Sequence, residues 1–558
     1  MRKILITLLL FAAMFSNAQY VSTLRIADET TEFGTPISQG MQIFNTYNNE
    51  LYVAKFAISS TATLTSAADS VKLIIDYDRL TDNYLSMFQG VRWNATDNTY
   101  QRTGSLIDIA VSQSAGNAEL PIQSEMKRCV LNDLGIVQYY IDSANPHFKN
   151  GESTPTSSGT TTSTSSDELV DSGADFVNDG VVEGMIVKNT TDDTYAGIKE
   201  VAATTLTIAS DIFESGEDYE IGTANYGGTD GQVMVQIPKF YYRQEFTIDG
   251  DRYWSVSLYH LPGFKLHPAF FKDNQEVNYR YYSAFEGSLW DASTSDYVAS
   301  GDIAVNMYAT GDKLASVANQ WAKTNEQRSE YREASVARGE GWRLLDFTLN
   351  SAVQLLYLVE YANFNTQGMI GAGRTELSGG SWTADSYIGK TGLSIGDGNS
   401  SNSISNGGTA GYLTDYMTFR GVENWWGDAW IMLGGITWDG RWTGTAAAQS
   451  VYYTNNAADF KDYGTDYMYY LCDASYIGTS LGYISDIENT FSFIPKSVGG
   501  SNLIYDYYYQ YSEAGRDYWR VFLCGGDAYG GGAAGGFAVA AANAWSGGYV
   551  TFAGRIAY

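Results

Sequence analysis

The side chains that stand out for chemistry lie near the C-terminus. Asp527, Tyr529, Asn543, Trp545, Tyr549, Thr551 and Phe552 interrupt a stretch rich in glycine and alanine. Tyr and Trp offer large contact area at small entropic cost, and they concentrate at binding hot spots. Asp, Asn and Thr add directed hydrogen bonds. Isolated rings and polar groups on a frame of small residues suit recognition of a ligand. They do not assemble a nucleophile, a base and an orienting group. The bland alternative is that the rings are core, but a bulky ring among Gly and Ala has few similar neighbours to pack with. These seven residues are therefore the candidate ligand-binding set, with no catalytic residue, metal ligand or cofactor assigned.

Other reactive residues are sparse. Cys129, Cys472 and Cys524 are odd in number and lack C-x-x-C spacing, so a disulfide framework or zinc site is not expected and buried free thiols are. His147, His260 and His267 are too scattered for a metal or triad site. No H-E-x-x-H or P-loop string occurs. Glu423-Asn424-Trp425-Trp426-Gly427 reads as the closure of an irregular turn, with Glu423 and Asn424 bonding backbone groups. Asp439-Gly440 reads as a hairpin turn. The Tyr/Asp-rich stretch 452–470, with Asp459, Asp462 and Asp466, flanks the binding face, packs subunits or is plain surface. A net charge of −29, from 34 basic and 63 acidic residues, disfavours nucleic acid as a partner.

The 558 residues leave room for several units. Residues 1–18 have a basic start, an apolar run and a small-residue site before Gln19, the pattern of a signal peptide. Either it is cleaved, or it is retained and docks into a larger assembly. Residues 19–80 read as a β attachment module, with strands at 41–44, 51–55 and 71–75. Residues 81–150 are a lead-in carrying a short helix over 123–129. Residues 151–225 comprise an exposed Ser/Thr linker, to about Ser166, and a compact unit over 168–221 that reads as an inserted small β-barrel. Residues 226–558 form the ligand-binding domain. Helices are expected over 325–338 and 347–361, the second placing Leu349, Val353, Leu356 and Val359 on one face against a sheet. After Gly371 little helix signal remains.

Four segments together carry a resemblance: G-E-G-W-R-L-L-D (339–346), L-V-E-Y-A-N-F-N-T-Q (358–367), F-R-G-V-E-N-W-W-G-D-A-W (419–430), and the G-G-D-A-Y-G-G-G-A-A-G…A-G-R-I tail. Over residues 231–558 the chain resembles the C-type-lectin-fold variable proteins of phages and bacteria whose C-termini are diversified by retroelements, in the formylglycine-generating-enzyme-like subgroup. The resemblance implies an α+β class with a C-type lectin fold, two helices packed on mixed and antiparallel sheets. It implies a fixed frame of Gly525, Gly526, Gly531, Ala534, Gly535, Gly554 and Arg555, with changeable positions at the seven candidates and at Gly530, Ala533, Ala541 and Gly547. The calcium-dependent sugar motifs of animal lectins are absent, and Cys472 and Cys524 lack the motif of the catalytic relatives, so no enzyme is expected. The implied function is a phage fibre or tip protein in the virion that binds a host cell-surface glycan or protein. Its N-terminal module would meet other virion proteins, and a homotrimer is the expected assembly. The alternative is a bacterial adhesin, secreted or on the cell surface, with the same binding domain.

Overall fold

The computed structural model describes four strands within residues 23–76, then residues 84–558 apart from 248–249, 299–306, 308–309, 378–387, 407–413, 441–448, 467, 475–481, 500–503 and 510–517. The signal-peptide-like segment 1–18 lies outside the described residues. Strands Thr23–Ile26, Gln42–Asn45, Glu50–Ala54 and Val71–Asp76 form one four-stranded sheet, parallel at its first pair and antiparallel after it.

The α+β C-type lectin architecture is not what the chain adopts. Its described residues are mainly strand, distributed over nine sheets. Among them only two α-helices exceed five residues, Arg328–Val336 and Phe347–Tyr361. The lead-in differs as well. The lead-in expected as a helix over 123–129 is a single 3₁₀ turn, Gln123–Glu125, and then a strand, Lys127–Leu131. A short apolar run fits either state by pattern alone. Long-range bonds decide it here: the buried Arg128 guanidinium donates to the Ser394 hydroxyl and to the Ser394 and Gly421 carbonyls.

The Ser/Thr run expected as an exposed linker instead supplies strands Ser157–Thr160 and Ser163–Ser165 to a seven-stranded sheet. Threonine suits a half-buried pleat, and its hydroxyls bond across it. Thr161 donates to the Glu214 carbonyl and accepts from the Gly216 and Glu217 amides. Leu169, Phe176, Val187, Ile198, Leu206 and Ile221 give this sheet its own core. Its strand order has two ends, so among the described residues it is a curled sheet and not a closed barrel.

The main body centres on a six-stranded sheet. There the chain end, Ile556–Ala557, lies between Arg343–Leu344 and Tyr279–Ser283. Helix Phe347–Tyr361 is buried along its whole length, not on one face. It packs on strands Gln89–Asn94 and Asp251–Ser257 on one side. On another, Tyr357 meets Phe419, Trp425 and Phe537. Most of its polar groups are bonded within the described residues, the Ser351 and Tyr357 hydroxyls excepted. Asn350 accepts from the Tyr282 hydroxyl and the Trp425 indole, and Gln354 donates to the Gly536 carbonyl at 2.8 Å. Glu360 pairs with Arg420. The buried Arg102 reaches the last-turn carbonyls of Val359 and Glu360 at 2.9 Å each.

Asp346 caps the other end, accepting from the Leu349 amide at 2.9 Å and pairing with Arg280. Burial pushes this carboxyl up, but the Arg280 and Arg343 guanidiniums and the Thr348 hydroxyl outweigh it and hold it down at about 2. The folded value lies below the unfolded one, so the group stabilises the fold above the ordinary carboxylate range and loses that contribution as pH falls toward 2. The shift corresponds to about 2 kcal/mol. Urea denaturation of wild type and Asp346→Asn should show the variant less stable by about that much at pH 7. The gap should narrow between about pH 4 and pH 2; a constant gap would assign the loss to packing alone.

Candidate functional site

The C-terminal tail folds into a second seven-stranded sheet of mixed direction. Trp430–Met432 runs antiparallel to Leu523–Gly525 and parallel to Phe552–Ala553. Gly535–Ala540 pairs with Leu523–Gly525 on one side and parallel to Tyr507–Tyr509 on the other. Between Leu523–Gly525 and Gly535–Ala540 the chain makes the 3₁₀ turn Gly531–Ala533.

This sheet and turn enclose an open cavity of about 240 Å³. Its aromatic walls are Trp430, Tyr509, Tyr529 and Phe552, and its floor is small: Gly526, Ala533, Ala534, Ala540 and Ala542. Asp527 and Asn543 supply the polar groups. Trp430 and Phe552 are nearly buried, at 8% and 5% exposure, and Trp430 meets Tyr509 edge-on at 5.5 Å. Partial burial, reinforced by the Asp527 carboxylate and opposed by Arg374, pushes the Tyr529 hydroxyl up. It is therefore neutral at pH 7, able to donate and accept.

The loop bearing Asp527 and Tyr529 is fixed in place. Asp527 accepts from the Tyr529 amide at 3.0 Å, an Asx turn. Gln367 donates to the Gly531 and Ala534 carbonyls from helix Thr366–Ile370, while the Gly531 amide bonds the Thr375 carbonyl. Two glycines are required. Gly526 has φ +83°, and a Cβ there would lie 2.5 Å from the Ala534 Cβ. At Gly535 an added Cβ would strike the buried Asp506 carboxylate. The frame residues Gly554 and Arg555 lie beneath: Arg555 donates to the Glu423 and Asn424 carbonyls, and a Cβ at Gly554 would meet the Tyr331 ring at 2.5 Å.

Glu423 and Asn424 close a turn, as their positions in sequence indicate. Glu423 accepts from the Gly392 and Ser394 amides and the Ser394 hydroxyl, all at 2.7 Å. Asn424, itself left-handed at φ 46°, accepts from the Met417 amide and donates to Glu286. Burial and the adjacent Asp428 carboxylate push Glu286 well up.

Four sequence candidates come together at the cavity: Asp527, Tyr529, Asn543 and Phe552. Tyr549, 50% exposed, stands beside them with its ring 5.0 Å from Phe552. Thr551 contributes through its backbone, its carbonyl accepting from the Trp430 amide. Trp545 does not line the cavity; its ring packs 5.0 Å from Tyr463. Sequence reasoning missed Trp430 and Tyr509. Trp430 lies three residues beyond the segment read as a turn, and Tyr509 is brought to the cavity by parallel pairing with Gly535–Ala540. It also passed over Gly478-Thr479-Ser480-Leu481-Gly482, which has nucleophile-elbow spacing. Residues 475–481 lie outside the described residues, but the flanking elements are strands, Tyr469–Ala474 and Gly482–Ile487, not the strand and helix an elbow joins.

The Asp439-Gly440 hairpin turn is a longer connection. Strand Ile436–Asp439 pairs with Gln449–Tyr453, and residues 441–448 between them lie outside the described residues. The three thiols are free and buried, and burial pushes Cys472 and Cys524 up to about 12. Burial drives His267 down to about 3. Among the described residues no group of three His, Cys, Asp or Glu side chains is placed to hold a metal. No helix among them is long and apolar enough to cross a membrane. No protein-family model matches the chain, and no curated protein matches it.

The frame and the displayed residues respond differently to substitution. Gly526→Ala should lower stability by about 2 kcal/mol or more in urea denaturation, from backbone strain plus the clash with Ala534. At Gly532 an added Cβ meets nothing within 4 Å, and Gly532→Ala should change stability by no more than about 0.5 kcal/mol. Equal losses in both would show that the turn is not a supported frame.

Proposed function

We propose that the protein is a recognition protein that holds one ring-sized group of a host cell-surface glycan or protein in the Tyr529 cavity. The observation that carries this is the pairing of four aromatic walls with a floor of Gly and Ala and two polar side chains, Asp527 and Asn543. Aromatic faces stack on flat apolar surfaces, and few, fixed polar groups set orientation. At about 240 Å³, the cavity is below the roughly 300–1,000 Å³ of drug-sized sites. It suits one sugar ring or one side chain, not a long chain. Because the loop is already bonded in place, binding orders little, which lowers its entropic cost.

The resemblance of the tail to retroelement-diversified proteins supports a place in a phage fibre or tip, bound through the N-terminal module to other virion proteins. The net charge of −29 suits a surface that resists non-specific adhesion while one largely aromatic site recognises its target.

Binding of the intact chain to whole host cells and to a glycan array tests the reading. Tyr529→Ala and Asn543→Ala should each weaken binding about tenfold or more, roughly 1.4 kcal/mol or above. Trp545→Ala should leave it unchanged, because that ring faces Tyr463. Undiminished binding by Tyr529→Ala would remove the cavity as the site. Absence of binding to any cell surface would remove the function.

A further inference from the structure

The Tyr529 cavity has a neighbour. Across the Gly531–Ala533 turn lies a second cavity of about 200 Å³, lined by Asn365, Tyr483, Tyr505, Asp506 and Gly532 and sharing Ala534 with the first. It repeats the first cavity's chemistry. Tyr483 and Tyr505 are its aromatic walls, and Asn365 and Asp506 its polar groups. Asp506 is only 1% exposed, with one carboxylate oxygen accepting from the Phe537 amide at 2.7 Å. The ridge between the cavities is low, because Gly531 and Gly532 carry no side chain and a Cβ on either would meet nothing within 4 Å. It is also held in place, since Gln367, itself on the wall of the second cavity, donates to the Gly531 and Ala534 carbonyls.

We propose that the two cavities are adjoining subsites for successive rings of one neutral oligosaccharide, which crosses the turn at Gly531 and Gly532. The proposal rests on the recognition reading above and adds the ligand's class and length. Each cavity alone is too small for a disaccharide-sized group, while the pair reaches the ordinary volume range of ligand sites. An acidic chain repels polyanions, and both cavities carry carboxyl or amide groups rather than exposed Lys or Arg, so the sugar is neutral. A peptide offering two side chains would fit the same spacing, and the test separates the two.

The probe is an array printed with galactose, mannose and N-acetylglucosamine, each as the single sugar, the dimer and the trimer, alongside tyrosine- and leucine-rich peptides. At least one dimer should bind about tenfold more tightly than its single sugar. Gly532→Phe, placed where its side chain meets open space, should erase that gain while leaving single-sugar binding intact. Tyr483→Ala should do the same without touching the ridge, which keeps the test decisive if Gly532→Phe fails to fold. Single-sugar binding with no gain from length, or a gain that survives both variants, overturns the second subsite and leaves the one-ring reading standing. Binding to peptides alone overturns the oligosaccharide. No binding to any probe, with no binding to cells, overturns both readings.

Discussion

Helix Phe347–Tyr361 has no solvent face, and this constrains the rest of the main body. An exposed helix can leave its end groups and polar side chains to water. A buried one must find protein partners for nearly all of them, because an unsatisfied buried group costs about 1–3 kcal/mol. On this helix the Ser351 and Tyr357 hydroxyls are the buried side-chain groups left without one among the described residues. The partners come from widely separated parts of the chain: Arg102 at the last turn, Arg280 at the Asp346 cap, Arg420 at Glu360, Trp425 at Asn350 and Gly536 at Gln354. Lead-in, central sheet, the E-N-W-W turn and the C-terminal tail are thus referenced to one rod. The cations are arginines, whose planar guanidinium bonds two or more carbonyls at once, as Arg102 and Arg555 do.

The strand that ends beside the cavity, Gly535–Ala540, is tied to the same helix. Gly536, bonded to Gln354, is packed so closely that a Cβ there would lie 2.6 Å from Trp425. Gly535 has the same closeness to Asp506. The strand Gly535–Ala540 must therefore begin with residues lacking side chains, and its neighbours on the cavity side are alanines. A floor of small residues leaves depth, and the aromatic residues come from other strands to wall it.

What was legible in the sequence was local. Apolar periodicity placed Phe347–Tyr361 to the residue, and the small residues around Asp527 and Tyr529 marked a tight frame that displays them. What was not legible was set by partners far along the chain. Arg128 looked like part of a helix because its bonds to Ser394 and Gly421 cannot be seen from its neighbours. The Ser/Thr run looked like a linker because the strand that pairs with its first part, Asp218–Asn225, is some sixty residues on, as in the Thr160 to Asp218 hydroxyl bond. The lectin-type expectation failed for a related reason. Its motifs are short turns and caps, which different sheets can share, and they do not specify which strands pair.

Trp545 and Trp430 show where residue type stops informing. Both are Trp next to small residues, and composition alone ranks them equally as contacts. Trp545 is diverted by Tyr463, while Trp430 is carried to the cavity wall because its strand is the one strand bridging Leu523–Gly525 and Phe552–Ala553. Antiparallel pairing to one and parallel pairing to the other fix its register from both sides. A side chain whose strand is pinned on both edges cannot drift, which is the condition for a wall that keeps its shape.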